Sequence, residues 1–180
     1  AALGEHKAMD NCDGEIAGVV KVVNSDDVEV VLPASFPKDS TYHFIWHFID
    51  AAGNDKTCEQ YMTVEDTTPP DAKDFCDNLK DITVVAEDCH YDFAKLGIDL
   101  NATIEAKCDG TLKATVQAFV RREDGLVIRY QDDELLGLSL PVGVHKLLYI
   151  FTDKANLSDT CTQFVKVEDK TAPVILDCFD

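Results

Sequence analysis

Two residue types in this 180-residue chain stand out for the chemistry they could do: seven cysteines and thirty-four carboxylates. The cysteines lack the CxxC or Cys/His spacing of a zinc site, so oxidation to structural disulfides is the chemistry expected of them. That in turn predicts an exported, extracellular protein. Seven is odd, so at least one cysteine has no partner within the chain. Among the carboxylates, Asp50, Glu65, Asp66, Asp71, Asp153, Glu168 and Asp169 gather near turns and a linker. Oxygen ligands of that kind suit a hard cation, which makes calcium the cofactor to test, against plain solvated charge in a chain this acidic.

Other side chains carry weaker signals. His43 and His47 sit four residues apart in a strand-like run, roughly 13 Å along the backbone, too far to share one metal ion. Asn101-Ala102-Thr103 and Asn156-Leu157-Ser158 are N-glycosylation sequons, and Thr67 and Thr68 follow Asp66 in an O-glycosylation-like pattern. Arg121, Arg122 and Arg129 place three of the sixteen basic residues in one hairpin, a candidate surface for a glycan or host protein. The acidic clusters Asp26-Asp27 and Asp132-Asp133-Glu134 come with no nucleophile and read as solubilising surface. No phosphate loop, nucleophile elbow, HExxH or EF-hand pattern is present, so no catalytic residue and no enzyme is expected.

Charge narrows the partners. A net charge of -18 repels phosphate backbones and anionic headgroups, which excludes nucleic acid and membrane surfaces. Apolar runs are only a few residues long, against the roughly 20 that span a bilayer, so membrane insertion is not expected. With no signal segment at its start, the chain reads as a mature, soluble piece.

The chain also repeats itself. Tyr42 to Pro70 aligns without gaps to His145 to Pro173 at an offset of 103, matching Asp50 to Asp153, Cys58 to Cys161, Gln60 to Gln163 and Pro70 to Pro173. A second anchor, Cys12-Asp13-Gly14 against Cys108-Asp109-Gly110, has an offset of 96. Repeat two therefore holds about seven more residues between the anchors, which we assign to the Arg121 to Glu134 hairpin. The boundaries predicted are an incomplete repeat over 1–68, a complete one over 69–172 and the start of a third over 173–180. Short, acidic, Pro-containing linkers join them.

Within each repeat the apolar period is two. Phe44, Trp46 and Phe48, matched by Leu147, Tyr149 and Phe151, form the buried faces of strands. Val19–Val23, Val28–Leu32, Ile82–Ala86, Leu112–Val120 and Leu126–Tyr130 are further predicted strands, separated by turns at Asn24–Asp27 and Glu123–Gly125. A short helix is expected over Asp92–Leu100. This pattern predicts an all-β protein of tandem immunoglobulin-like β-sandwiches.

The same residues carry a family resemblance. Asp10-Asn11-Cys12, Ile49-Asp50-Ala51-Ala52-Gly53-Asn54 and Val64-Glu65-Asp66-Thr67-Thr68-Pro69-Pro70 resemble the hyalin repeat (HYR) as it occurs in tandem in bacterial surface proteins of Bacteroidetes type. Repeat two departs from it at Ala106-Lys107-Cys108 and at Ala155-Asn156. The resemblance spans nearly the whole chain. It implies an extracellular immunoglobulin-like module with roles in adhesion or spacing, and no catalytic residue.

In a sandwich whose first and last strands are parallel neighbours, Cys76, placed on the first, can meet Cys161, at the start of the last. Cys89 and Cys108 then form a second bridge, and Cys12, Cys58 and Cys178 are left for inter-chain partners or partners lost by truncation. The rival scheme joins Cys58 to Cys76 and Cys161 to Cys178. Three functions follow as expectations. The first is a disulfide-stabilised stalk of a surface adhesin or filament, its partners being neighbouring repeats or identical subunits added head to tail by strand complementation. The others are a recognition module and an accessory domain of a larger secreted enzyme.

Overall fold

A computed structural model describes residues 4–32, 35–86, 88–122 and 124–176. The protein is all-β, and the chain divides into two compact units, Ala1–Asp66 and Thr67–Asp180, two residues short of the boundary expected at 68.

Unit 1 opens with a hairpin of β1 (Lys7–Asp10) and β2 (Gly14–Ala17), turned at Gly14, whose φ of 75° is costly for a residue with a Cβ. A three-stranded antiparallel sheet follows, in the order β3 (Val19–Asn24), β4 (Ser40–Ile49), β5 (Asp55–Val64). Strand β4 buries Tyr42, Phe44, Trp46 and Phe48 on one face, the alternation read from the sequence. Val22, Tyr42 and Phe44 form a small core with Val20, Phe36 and Met62 against them. Val28–Leu32 does not extend the sheet as expected. Asp27 turns the chain with a φ of 58°, and the segment touches β3 through one bridge, Val23 to Glu29, made by hydrogen bonds from Asn24 N to Val28 O and from Val30 N to Val22 O.

Unit 2 begins with a six-residue helix, α1 (Lys73–Asn78), then β6 (Ile82–Val85), β7 (His90–Asp92), β8 (Thr103–Ala106) and β9 (Gly110–Arg121). After these come β10 (Val127–Gln131), β11 (Ser139–Pro141), β12 (Gly143–Thr152) and β13 (Ser158–Glu168). The main sheet runs β10-β9-β12-β13-β6, with β8 also paired to β9, and β7 pairs with β11 in a second, two-stranded sheet. First and last strands β6 and β13 are parallel neighbours. The helix expected over Asp92–Leu100 is a single 3-10 turn at Phe93–Leu96, ended by Gly97 at a φ of 69°. Residues 173–176 form no strand, and 177–180, with Cys178, lie outside the described residues.

The core of unit 2 is built from Val116, Ala118, Leu147, Tyr149, Phe151, Val165 and Val167, closed by Phe93, Leu135 and Leu140. Phe75, on α1, stands edge-on to both Tyr149 and Phe151 with ring centroids 5.2 Å apart. Aromatic edges meeting ring faces in this way add to the burial term.

Candidate functional site

Cys76 and Cys161 form a disulfide with their Cα atoms 5.2 Å apart. Their surroundings correct one detail: Cys76 sits in α1, ahead of the first strand. A hydrogen bond from Ala72 N to Asp159 Oδ2 draws that segment onto β13, and the bridge forms beside it. The second expected bridge does not form, because Cys89 and Cys108 are exposed free thiols. The backbone carbonyl of Cys89 accepts from Val142 N, at the beginning of β12. Cys108 lies in the β8–β9 turn, whose Asp109 reaches Lys154, just past the end of β12. Ten residues of strand, about 33 Å, separate those two poles. Cys12, in the β1–β2 turn, and Cys58, on β5, are also exposed and free.

The two turns at the Lys154 pole bring two carboxylates together. Gly110, at a φ of 72°, lets the chain reverse into β9 and leaves the preceding Asp109 turned inward, its side chain 1% exposed. Asp153 directly follows β12 and is 6% exposed. One oxygen of each lies within 4.8 Å of the other. Asp153 Oδ1 accepts from Leu157 N at 2.8 Å, whereas its Oδ2 is buried with no hydrogen-bond partner. Lys154 Nζ stands 3.7 Å from Asp109 Oδ1 on a side chain that is 76% exposed.

Unit 1 repeats these turns with a different ending. The β4–β5 hairpin is closed by the same bonds, from Asp50 N to Asn54 O and from Asn54 N to Asp50 Oδ1, and Gly53 takes the left-handed place that Asn156 holds in unit 2. Here, however, the Asn54 side chain donates to Asp50 Oδ2 at 2.6 Å. That hydrogen bond is the first cause holding the Asp50 pKa below its ordinary value. Asp13, the match of Asp109, accepts from Ala51 N at 2.8 Å. Both oxygens of Asp50 are therefore supplied from within the hairpin.

Asp66 Oδ2 accepts from Lys38 at 3.0 Å within unit 1, and Glu65 is exposed. Asp71 and Asp169 each cap their own turns, accepting from Lys73 N and Thr171 N. Glu168 is flanked by Lys166 at 2.7 Å and Lys170 at 3.2 Å, whose donated hydrogen bonds lower its pKa. Asp109 is the residue missed in the sequence. Its signal was the Cys-Asp-Gly anchor, which served there to align the repeats.

His43 and His47 point away from the buried face of β4, each on its own carboxylate, Glu59 and Asp55, both at 3.1 Å. Asn101 and Asn156 are exposed in turns, and Thr67 and Thr68 are exposed in extended chain. Arg121, Arg122 and Arg129 are exposed. Arg122 lines a cleft of about 440 Å³ with His90, Asp124, Tyr130 and Ser139, while Arg129 borders a different depression among Asp132, Asp133 and Glu134. No helix among the described residues is long and apolar enough to cross a membrane. No family model matches the chain, and no curated protein is significantly similar to it.

Proposed function

We propose that this chain is a non-enzymatic structural repeat of an extracellular surface adhesin or filament, two immunoglobulin-like modules of hyalin-repeat type acting as a disulfide-stabilised stalk. One observation carries the reading. The β4–β5 and β12–β13 hairpins share their register residue for residue, from Ser40↔Val64 and Gly143↔Val167 to Ile49↔Asp55 and Thr152↔Ser158. A hairpin conserved to that degree between two units of one chain is what tandem duplication of a module leaves behind. The parallel β6–β13 edge and the separate β7–β11 pair suit an immunoglobulin-like arrangement. The Cys76–Cys161 bridge suits an oxidising compartment, and the acidic surface keeps neighbouring stalks apart.

Protease shaving of intact source cells tests this. Peptides released from the surface with Cys76 bridged to Cys161 are the expected result. Recovery from the cytosol alone, with both thiols reduced, would overturn it.

A recognition module is the second reading, favoured by the cleft where Arg122 meets His90 and Tyr130. Replacing Arg121, Arg122 and Arg129 with alanine in a glycan and host-protein binding screen separates the two, since a spacer loses nothing. Head-to-tail strand complementation is a variant of the stalk reading. The outer edge of β5 has no partner strand among the described residues, and Cys58 is exposed on it. Purified protein that stays monomeric, with Cys58 reduced, rules that variant out.

A further inference from the structure

We propose that Asp109 and Asp153 form a calcium site at one pole of unit 2, and that unit 1 has replaced the ion with an asparagine. The proposal is independent of the stalk reading. Two carboxylates with side chains this buried, each with an oxygen within 4.8 Å of the other, repel when both are ionised. Asp153 Oδ2 adds an acceptor removed from water and left without a donor. A buried acceptor in that state calls for a proton, a donor or a cation.

The repeat shows which of these has been removed. The Asp50 and Asp153 hairpins carry the same backbone closure, so residue 157 stands where residue 54 stands. Asn54 places an amide N–H on Asp50 Oδ2, whereas Leu157 has nothing to donate to Asp153 Oδ2. One side chain thus distinguishes a self-contained hairpin from one that leaves a buried carboxylate oxygen without a donor.

The ligand chemistry is that of a hard divalent cation. Calcium accepts irregular oxygen sets completed by water and backbone carbonyls, while magnesium demands a near-octahedral shell. A site with only two carboxylates belongs with the weak class of extracellular sites, with half-saturation at about 10⁻⁴ to 10⁻³ M.

Thermal unfolding and calorimetric titration of the whole chain, in chelated buffer with added calcium chloride, test the assignment. The native chain should show a saturable rise of a few degrees in the midpoint of unit 2, larger than magnesium gives at equal concentration. Asp153→Asn should abolish it. Leu157→Asn, which restores the donor found in unit 1 and keeps both carboxylates, should stabilise the calcium-free chain and weaken calcium binding at least tenfold. That variant reads the site even if Asp153→Asn fails to fold. Asp26→Asn, on an exposed turn, should leave the response intact. The proposal is overturned by the absence of a saturable response up to 10 mM calcium, or by a response that Leu157→Asn or Asp153→Asn leaves unchanged.

Discussion

The Tyr149 hydroxyl donates to Gln163 Oε1 at 2.9 Å, and the Gln163 amide donates in turn to the carbonyl of Lys80 at 2.6 Å. The β12–β13 hairpin and the lead-in to β6, 83 positions before Gln163, are tied by one buried glutamine. Burial, with the nearby charge of Asp99 as a smaller cause, pushes the Tyr149 pKa up to about 12, so the phenol stays a donor at any physiological pH. Gln163→Leu strands both the hydroxyl and the carbonyl. We expect it to cost about 2–4 kcal/mol in urea unfolding, against about 1 kcal/mol for Tyr149→Phe, which removes the donor alone. Equal costs would contradict the relay.

The disulfide makes a second prediction. Cys76 and Cys161 close a loop with a sequence separation of 85, and in the chain-entropy model that is worth roughly 4 kcal/mol. The Cys76→Ser/Cys161→Ser pair should lose that amount, while Cys89→Ser/Cys108→Ser should change stability by less than about 0.5 kcal/mol. Alkylation of the folded protein, followed by mass mapping, should modify Cys12, Cys58, Cys89 and Cys108 and spare Cys76 and Cys161.

His145 supplies a pH dependence. It is fully buried on β12, its Nε2–H donating to the Pro141 carbonyl at 2.7 Å. Desolvation holds its pKa below the ordinary histidine value, outweighing the opposite pull of that hydrogen bond. The fold thus favours the neutral ring. Its contribution is complete above about pH 6.5 and is lost as pH falls from there through the lowered native value. The urea midpoint of unit 2 should therefore drop between pH 7 and pH 5.5, and His145→Gln should flatten that part of the profile.

Asn156 holds a left-handed φ of 62° at the tip of the β12–β13 hairpin, as Gly53 does at 87° in unit 1. Asn156→Gly should be neutral or mildly stabilising, and Asn156→Val should cost about 1–2 kcal/mol, since a β-branched side chain is strained there. Both changes also remove the glycosylation sequon, so a mass shift seen in native material alone would locate a glycan at this turn.

Much of the architecture was legible because burial imposes a period. Phe44, Trp46 and Phe48, and again Leu147, Tyr149 and Phe151, alternate as one-faced strands must, and all six are buried. The parallel placement of first and last strands pointed to the pairing of Cys76 with Cys161, although Cys76 lies in α1, ahead of the first strand. What stayed hidden needed knowledge of which end of the sheet each turn occupies. Cys89 and Cys108 both flank strands, and nothing in their spacing says that β12 separates them. Asp109 and Asp153 are 44 positions apart and meet because β9 begins beside the end of β12. Val28–Leu32 has the composition of a strand, yet the left-handed turn at Asp27 directs it away from a continuous ladder.

The parallel pairing of β6 with β13, from Ile82↔Val165 to Val85↔Glu168, also determines how unit 2 would answer tension. With the Cys76–Cys161 bridge reduced, a pull applied on its two flanks draws these neighbouring strands past one another along their own axes. The ladder's bonds then resist together in shear, where an antiparallel end pair would peel open one bond at a time. The Cys76–Cys161 bridge lies ahead of that clamp, so while it is intact it carries the load directly into β13, spares β6, and locks away the 85 positions it spans, about 290 Å of extended chain. Oxidised, the module would yield only its short flanks; once the sulfur bond is cut, it becomes an extensible tether, so its reach is set by the redox state of its surroundings.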